Sequence, residues 1–158
     1  MDTPCSPALP DTALLYQPRF DCRSGELVGA KLYMVRPRRN DNVVITAVSS
    51  VCLATLREAC QQTSTWNQSC GKHLVLTLGA RLDALCDPAF AHGLNAILLE
   101  TRLEPRCLEL NIITSQAEIS DLTAAALQHL KSCGIRFTIS AASPANARLA
   151  WIQRLPVD

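Results

Sequence analysis

The sequence lacks most of the features that place a chain in a compartment or match it to a partner. No apolar run approaches the ~20 residues that a membrane-spanning helix requires. The opening MDTPCSPALPD has neither the basic start nor the apolar stretch of a secretory signal, so a soluble, cytoplasmic protein is expected. An excess of one charge is missing too. Fifteen Lys and Arg against 14 Asp and Glu leave a formal charge of +1, which gives no reason to expect nucleic acid or an anionic membrane as the main partner. The basic stretch at Arg36, Arg38 and Arg39 has no interleaved aromatic and reads as a solvated turn rather than a stacking platform. There are 8 cysteines but no C-x-x-C pair, and His73, His92 and His129 have no cysteine at zinc-finger spacing. No metal or other cofactor is implied by these spacings, and most of the cysteines read as small buried hydrophobes. Internal repeats and low-complexity tracts are absent.

What is present is 158 residues, 48% of them hydrophobic, enough for one domain with a real core. Residues 1–12 read as a loose arm, and residues 13–158 as a single domain. LLYQPRFD and ELVGAKLYMV read as strands joined by a turn at Arg23-Ser24-Gly25. A helix is expected from about Ser49 to Trp66, with Cys52, Leu56, Ala59, Cys60 and Thr63 on one face. HLVLTLG follows as a strand, then a helix capped by Asp87 with Pro88 at its first position and a buried stripe of Phe90, Leu94, Ile97 and Leu98. CLELNII is the next strand. Ser115 and Glu118 form a capping box for a helix ending at Gly134, whose buried face carries Ile119, Leu122, Ala126 and Leu130. IRFTIS is a last strand, and Ser143-Pro144 opens a final helix through Leu149 and Ile152. Trp66 and Trp151 read as helix-end core residues. This alternation predicts an α/β fold with a parallel sheet and right-handed crossovers, its first two strands antiparallel.

In order along the chain, YQPRFDCRSGELVGAK, LREACQQTSTW, LTLGARLDALCDPAF, LEPRCLELNIITS, GIRFTISAAS and RLPVD resemble successive segments of the EAL-type cyclic di-GMP phosphodiesterase family. The resemblance covers nearly the whole chain. It implies a modified (β/α) barrel whose members cut cyclic di-GMP to a linear dinucleotide, using divalent metals to activate water. At the family's metal-binding positions this sequence departs from the pattern. The signature Glu corresponds to Lys31, the Asn of the next strand to Thr77, the Glu after it to Asn111, and the paired Asp residues to Ser140 and Ala141. The family's phosphate-binding Arg falls on Val35, with Arg36 one residue late, and one residue along a strand is the opposite face. Gln17 is retained from the ligand-contacting set. The family's later Lys and general-base Glu have no counterpart up to Asp158.

Strand alternation reaches the same place without the family. The inward face carries Gln17 and Arg19, then Gly29, Lys31 and Tyr33, then Thr77 and Gly79, Glu109 and Asn111, and Arg136, Thr138 and Ser140. The other face is apolar. The strand ends would present Lys31, Thr77, Asn111 and Ser140, neutral oxygens and an ammonium, whereas magnesium and manganese need hard, mostly anionic ligands. A cation at Lys31 repels a dication by several kcal/mol at ~5 Å, even at an effective dielectric near ~20. Without metal, the attacking water keeps a pKa near ~15, so no catalytic residues are expected. Lys31 is expected either to pair with Glu109 in the lumen or to snorkel to the mouth. Asp21, Glu26, Asp83 and Asp87 are read as turn and cap residues, not relocated ligands.

A full barrel takes about 250 residues and eight strands, and about five strands are legible here. Such an incomplete EAL-type barrel leaves edges and lumen open, which favours association. A homodimer, or docking on another regulatory protein, is the expectation, and the residues are equally compatible with a piece of a longer protein. Two functions follow. One is a catalytically inactive regulatory protein acting through protein–protein interaction in cyclic di-GMP-linked motility, biofilm or virulence control. The other is a metal-independent receptor for cyclic di-GMP using Gln17, Lys31 and Arg36. Against the receptor, the phosphate Arg is displaced and half the cup is missing.

Overall fold

The computed structural model describes residues 13–37, 43–47, 52–114, 120–141 and 156–157, with backbone alone at 36–37, 43–47, 113–114 and 141. The chain opens with an antiparallel hairpin of β1 (Ala13–Phe20) and β2 (Leu27–Pro37). Its turn is made by side-chain chemistry. The Asp21 carboxylate accepts the backbone N–H of Arg23 at 2.9 Å and of Ser24 at 2.8 Å, an Asx turn. Gly25 then takes φ 69, the left-handed region that glycine enters at no steric cost.

β2 is the pivot of the sheet. On its other side it runs parallel to β4 (Val75–Arg81), and β5 (Leu108–Thr114) and β6 (Arg136–Ala141) follow in parallel. The main path is β1-β2-β4-β5-β6, the five strands read from the sequence. A sixth, β3 (Val43–Ala47), pairs antiparallel with the far half of β2, from Tyr33↔Ala47 to Pro37↔Val43. The sequence reading passed over it. VVITA is a short β-branched run, which suits a strand, but it lies between a basic loop and a helix.

Among the described residues, three longer helices cover one face. α1 spans Leu53–Cys70, starting and ending about four residues later than the sequence suggests. It buries Leu56, Ala59, Cys60, Thr63 and Ser64. A short turn, α2 (Leu82–Leu85), leads to α3 (Pro88–Thr101). There the Asp87 side chain accepts the Ala89 N–H at 2.9 Å, and the buried stripe is Phe90, Leu94, Ile97 and Leu98, as the periodicity requires. α4 (Asp121–Ser132) corrects the sequence reading. Its cap is Ser120, which accepts the Thr123 N–H, and its buried residues are Leu127 and Leu130. Leu122 is 84% exposed, because the helix begins just before it and its stripe runs through the later leucines. Ser115, Glu118 and Ile119, the loop at 38–42 and the final helix with Trp151 lie outside the described residues.

The core lies between helices and sheet. Leu32, Leu76, Leu78, Leu108, Leu110 and Phe137, alternate residues on successive strands, have no accessible surface. Period-two alternation sends their neighbours to the opposite, concave face. The cysteines only partly follow expectation. Cys60 and Cys107 are buried, but Cys22 and Cys70 are exposed, and Cys52, Cys86 and Cys133 are intermediate.

Candidate functional site

Strand register sets the concave face. Gln17 lies opposite Lys31, Lys31 beside Thr77, Thr77 beside Glu109, and Glu109 beside Arg136. One step toward the strand ends, Gly79 lies beside Asn111 and Asn111 beside Thr138; one further step brings Ser140 beside Ile113. The expected mouth residues therefore stand on a diagonal and form two pairs. Lys31 and Thr77 are register neighbours. Asn111 and Ser140 are joined by a hydrogen bond, Nδ2 donating to Oγ at 2.9 Å. The Asn111 Oδ1 is buried and accepts no hydrogen bond among the described residues. For Arg36, in register with Val44, and Ala141, beside Thr114, the backbone alone is described.

Glu109 does not pair with Lys31. Its Oε1 accepts a hydrogen bond from Arg19 Nη1 at 2.8 Å and a second from the Thr77 hydroxyl at 2.9 Å. Arg19 also donates to Thr77 Oγ1. Thr77 is 3% and Glu109 8% exposed, so this is a nearly dry polar cluster under a guanidinium that keeps some contact with water. The reason Arg19 reaches two strands across is Gly29. It is Arg19's register partner on β2, and having no side chain it leaves the path over β2 clear. Gly29 also permits the close approach of β4, since a Cβ there would lie 2.1 Å from the Val75 carbonyl oxygen. Lys31 turns toward the next residue on its own face, with Nζ 5.4 Å from the centre of the Tyr33 ring, a cation–π arrangement.

The acids read as structural have structural partners. Asp21 holds the hairpin turn, and the N–H groups of Ser24 and Arg23 lower its pKa. Asp83 is bound in two places by Arg81, at 3.0 and 2.7 Å. Asp87 caps α3, and Glu26 lies 3.7 Å from Lys72.

This set does not fit a divalent cation. Among the described residues, Glu109 is the one carboxylate on the inward strand positions, and its Oε1 already accepts two hydrogen bonds. Around it are hydroxyls, an amide, an ammonium and a guanidinium, whereas a hard dication needs several oxygens with anionic charge among them. No group of His, Cys, Asp and Glu among the described residues is placed to hold a metal ion.

The convex side carries a different feature. A groove of about 450 Å³, lined almost wholly by apolar atoms, runs between the hairpin and the end of α1, with Tyr16, Pro18, Leu27, Trp66, Cys70 and Leu74 among its walls. Tyr16 and Trp66 meet edge to face, with centroids 4.9 Å apart. Burial pushes the Tyr16 pKa up to about 12. Leu15, Phe20, Leu27 and Val28 of the same hairpin are exposed.

The sequence profile described as "EAL domain" matches residues 8–158. An uncharacterized protein of Mycobacterium tuberculosis is 24% identical over 92% of this chain and 52% of its own length, so the chain spans about half the length of the curated relatives it matches. Among solved structures, the PaMucR phosphodiesterase in complex with c-di-GMP superposes with a TM-score of 0.78 at 18% identity, over 94% of this chain and 65% of that one. The EAL domain of Mycobacterium smegmatis DcpA gives 0.72 at 24% identity, over 92% and 60%. At these identities the structural likeness speaks to the fold.

Proposed function

The chain belongs to the EAL domain family, and from that premise we propose that it is a catalytically inactive member that acts by binding another protein in cyclic di-GMP-linked control of motility, biofilm formation or virulence. The observation that carries this reading is the donor set on the concave face. Lys31, Thr77, Asn111 and Ser140 bring no carboxylate to the strand ends, and Glu109, the one inward carboxylate among the described residues, is engaged by Arg19 and Thr77. A site without a bound dication cannot lower the pKa of a water molecule to the range where hydroxide forms at neutral pH. The exposed apolar residues of the hairpin and the groove behind them supply surface of the kind protein partners bury. A homodimer covering the open side of the sheet belongs to the same proposal. Light scattering over a range of concentrations tests it, with a stable mass of twice 17.2 kDa expected.

A second reading, a metal-independent receptor for cyclic di-GMP, is favoured by one observation. Gln17 and Lys31 are register partners, so an amide and a cation stand side by side on the concave face where a phosphate needs both. Titration calorimetry with cyclic di-GMP, with and without magnesium, separates the two. The regulatory reading expects no heat of binding in either arm. Heat without metal that Gln17→Ala abolishes transfers the assignment to the receptor.

A further inference from the structure

We propose that Arg19 is a tethered cation that closes the carboxylate of Glu109 and the hydroxyl of Thr77 to divalent ions. This rests on the reading above that the concave face holds no metal, and it names the group that keeps one out.

Three observations place Arg19 in that role. Its Nη1 lies 2.8 Å from Glu109 Oε1 and also donates to Thr77 Oγ1, so one nitrogen meets the strongest acceptor on this face and that acceptor's neighbour together. Glu109 as a residue is only 8% exposed, and a buried, unpartnered negative charge is strongly disfavoured. Some cation is therefore required in front of it. Finally, the route is built into the backbone. Gly29, the register partner of Arg19, puts no side chain in its way, and the Val75 carbonyl excludes any larger residue there. Lys31 stands nearer in register, yet Glu109 takes the arginine, and Lys31 rests over Tyr33. A guanidinium presents several donors in a fixed plane and loses less hydration than an ammonium, so it suits a buried carboxylate flanked by a hydroxyl.

The tie joins β1, at the edge of the sheet, to β4 and β5 at its centre. A bound dication between Glu109 and Thr77 would have to displace Arg19 and then share the face with its charge, which repels it.

The test puts the cation in competition with manganese. Lys31→Glu supplies a second carboxylate beside Thr77, and manganese binding is read from the loss of the free-ion paramagnetic resonance signal. Lys31→Glu is compared with Lys31→Glu carrying Arg19→Gln, and with Lys31→Glu carrying Arg19→Lys. Removing the positive charge with Arg19→Gln is expected to tighten manganese binding by at least about tenfold, while Arg19→Lys, which keeps a cation, stays near the Arg19 value. In the parent chain, Arg19→Gln lowers the melting temperature, and adding Glu109→Gln restores part of the loss because the buried charge has gone. Equal manganese affinity with and without Arg19 overturns the proposal, as does a parent melting temperature insensitive to Arg19→Gln. Manganese binding by the unsubstituted chain would overturn the functional reading as well, so the two failures are told apart.

Discussion

Single side chains decide what the concave face of this protein can hold, and one glycine decides how closely two of its strands approach. Gly29 has no room for a methyl group, since its Cβ would lie 2.1 Å from a backbone oxygen that cannot rotate away. Gly29→Ala is expected to cost roughly 3 kcal/mol, a fall in Tm of roughly 6–12 °C for a chain of this size, read by thermal unfolding. A Tm within about 2 °C of the parent would mean that β2 and β4 can separate freely. Tyr16 and Cys60 govern the alkaline side. Burial raises the Tyr16 pKa from 10.0 to about 12 and that of Cys60 from 9.0 to about 12. Both hold their proton more tightly folded than unfolded, so their stabilising effect is whole below about pH 9 and lost as pH rises through about 12. Tyr16→Phe should flatten the decline of Tm between pH 10 and 12, and superposable curves for parent and variant would contradict it. At this scale the sequence was half legible. Parity along the strands put Arg19, Lys31 and Glu109 on one face, but the choice of partner for Glu109 depended on a residue two strands from the acid, Gly29, which puts no side chain in the way of Arg19.

Among the elements, the helices divide by how sharply their ends are written. α3 was legible because Asp87 and Pro88 fix its start and Phe90, Leu94, Ile97 and Leu98 repeat at helical spacing. α4 was not, because two serines, Ser115 and Ser120, stand ahead of the same apolar run, and the helix uses the second. The consequence is measurable by chemical denaturation. Leu127→Ala, at a fully buried position, is expected to cost about 2–5 kcal/mol. Leu122→Ala, at an 84% exposed position, should stay within about 0.5 kcal/mol of the parent. The reverse order would restore the capping box at Ser115 and the stripe through Leu122. β3 is a different case. Its five residues gain their place only by pairing with the far half of β2, a tertiary effect that local pattern does not carry.

For the molecule as a whole, strand and helix alternation gave the class of fold, and the order of the segments gave the family to which the chain belongs. The antiparallel opening of the sheet was readable from the turn at Arg23-Ser24-Gly25, which the structure shows to be held by Asp21. The inactivity proposed for the face rests on the groups found there: an ammonium, two hydroxyls and an amide at Lys31, Thr77, Ser140 and Asn111, with Glu109 engaged by Arg19. The most direct measurement is incubation of the purified chain with cyclic di-GMP and millimolar manganese or magnesium, with products separated by chromatography. Linear dinucleotide is expected to form no faster than in protein-free buffer. Linear product that requires the metal and disappears on chelation would contradict the account at its centre.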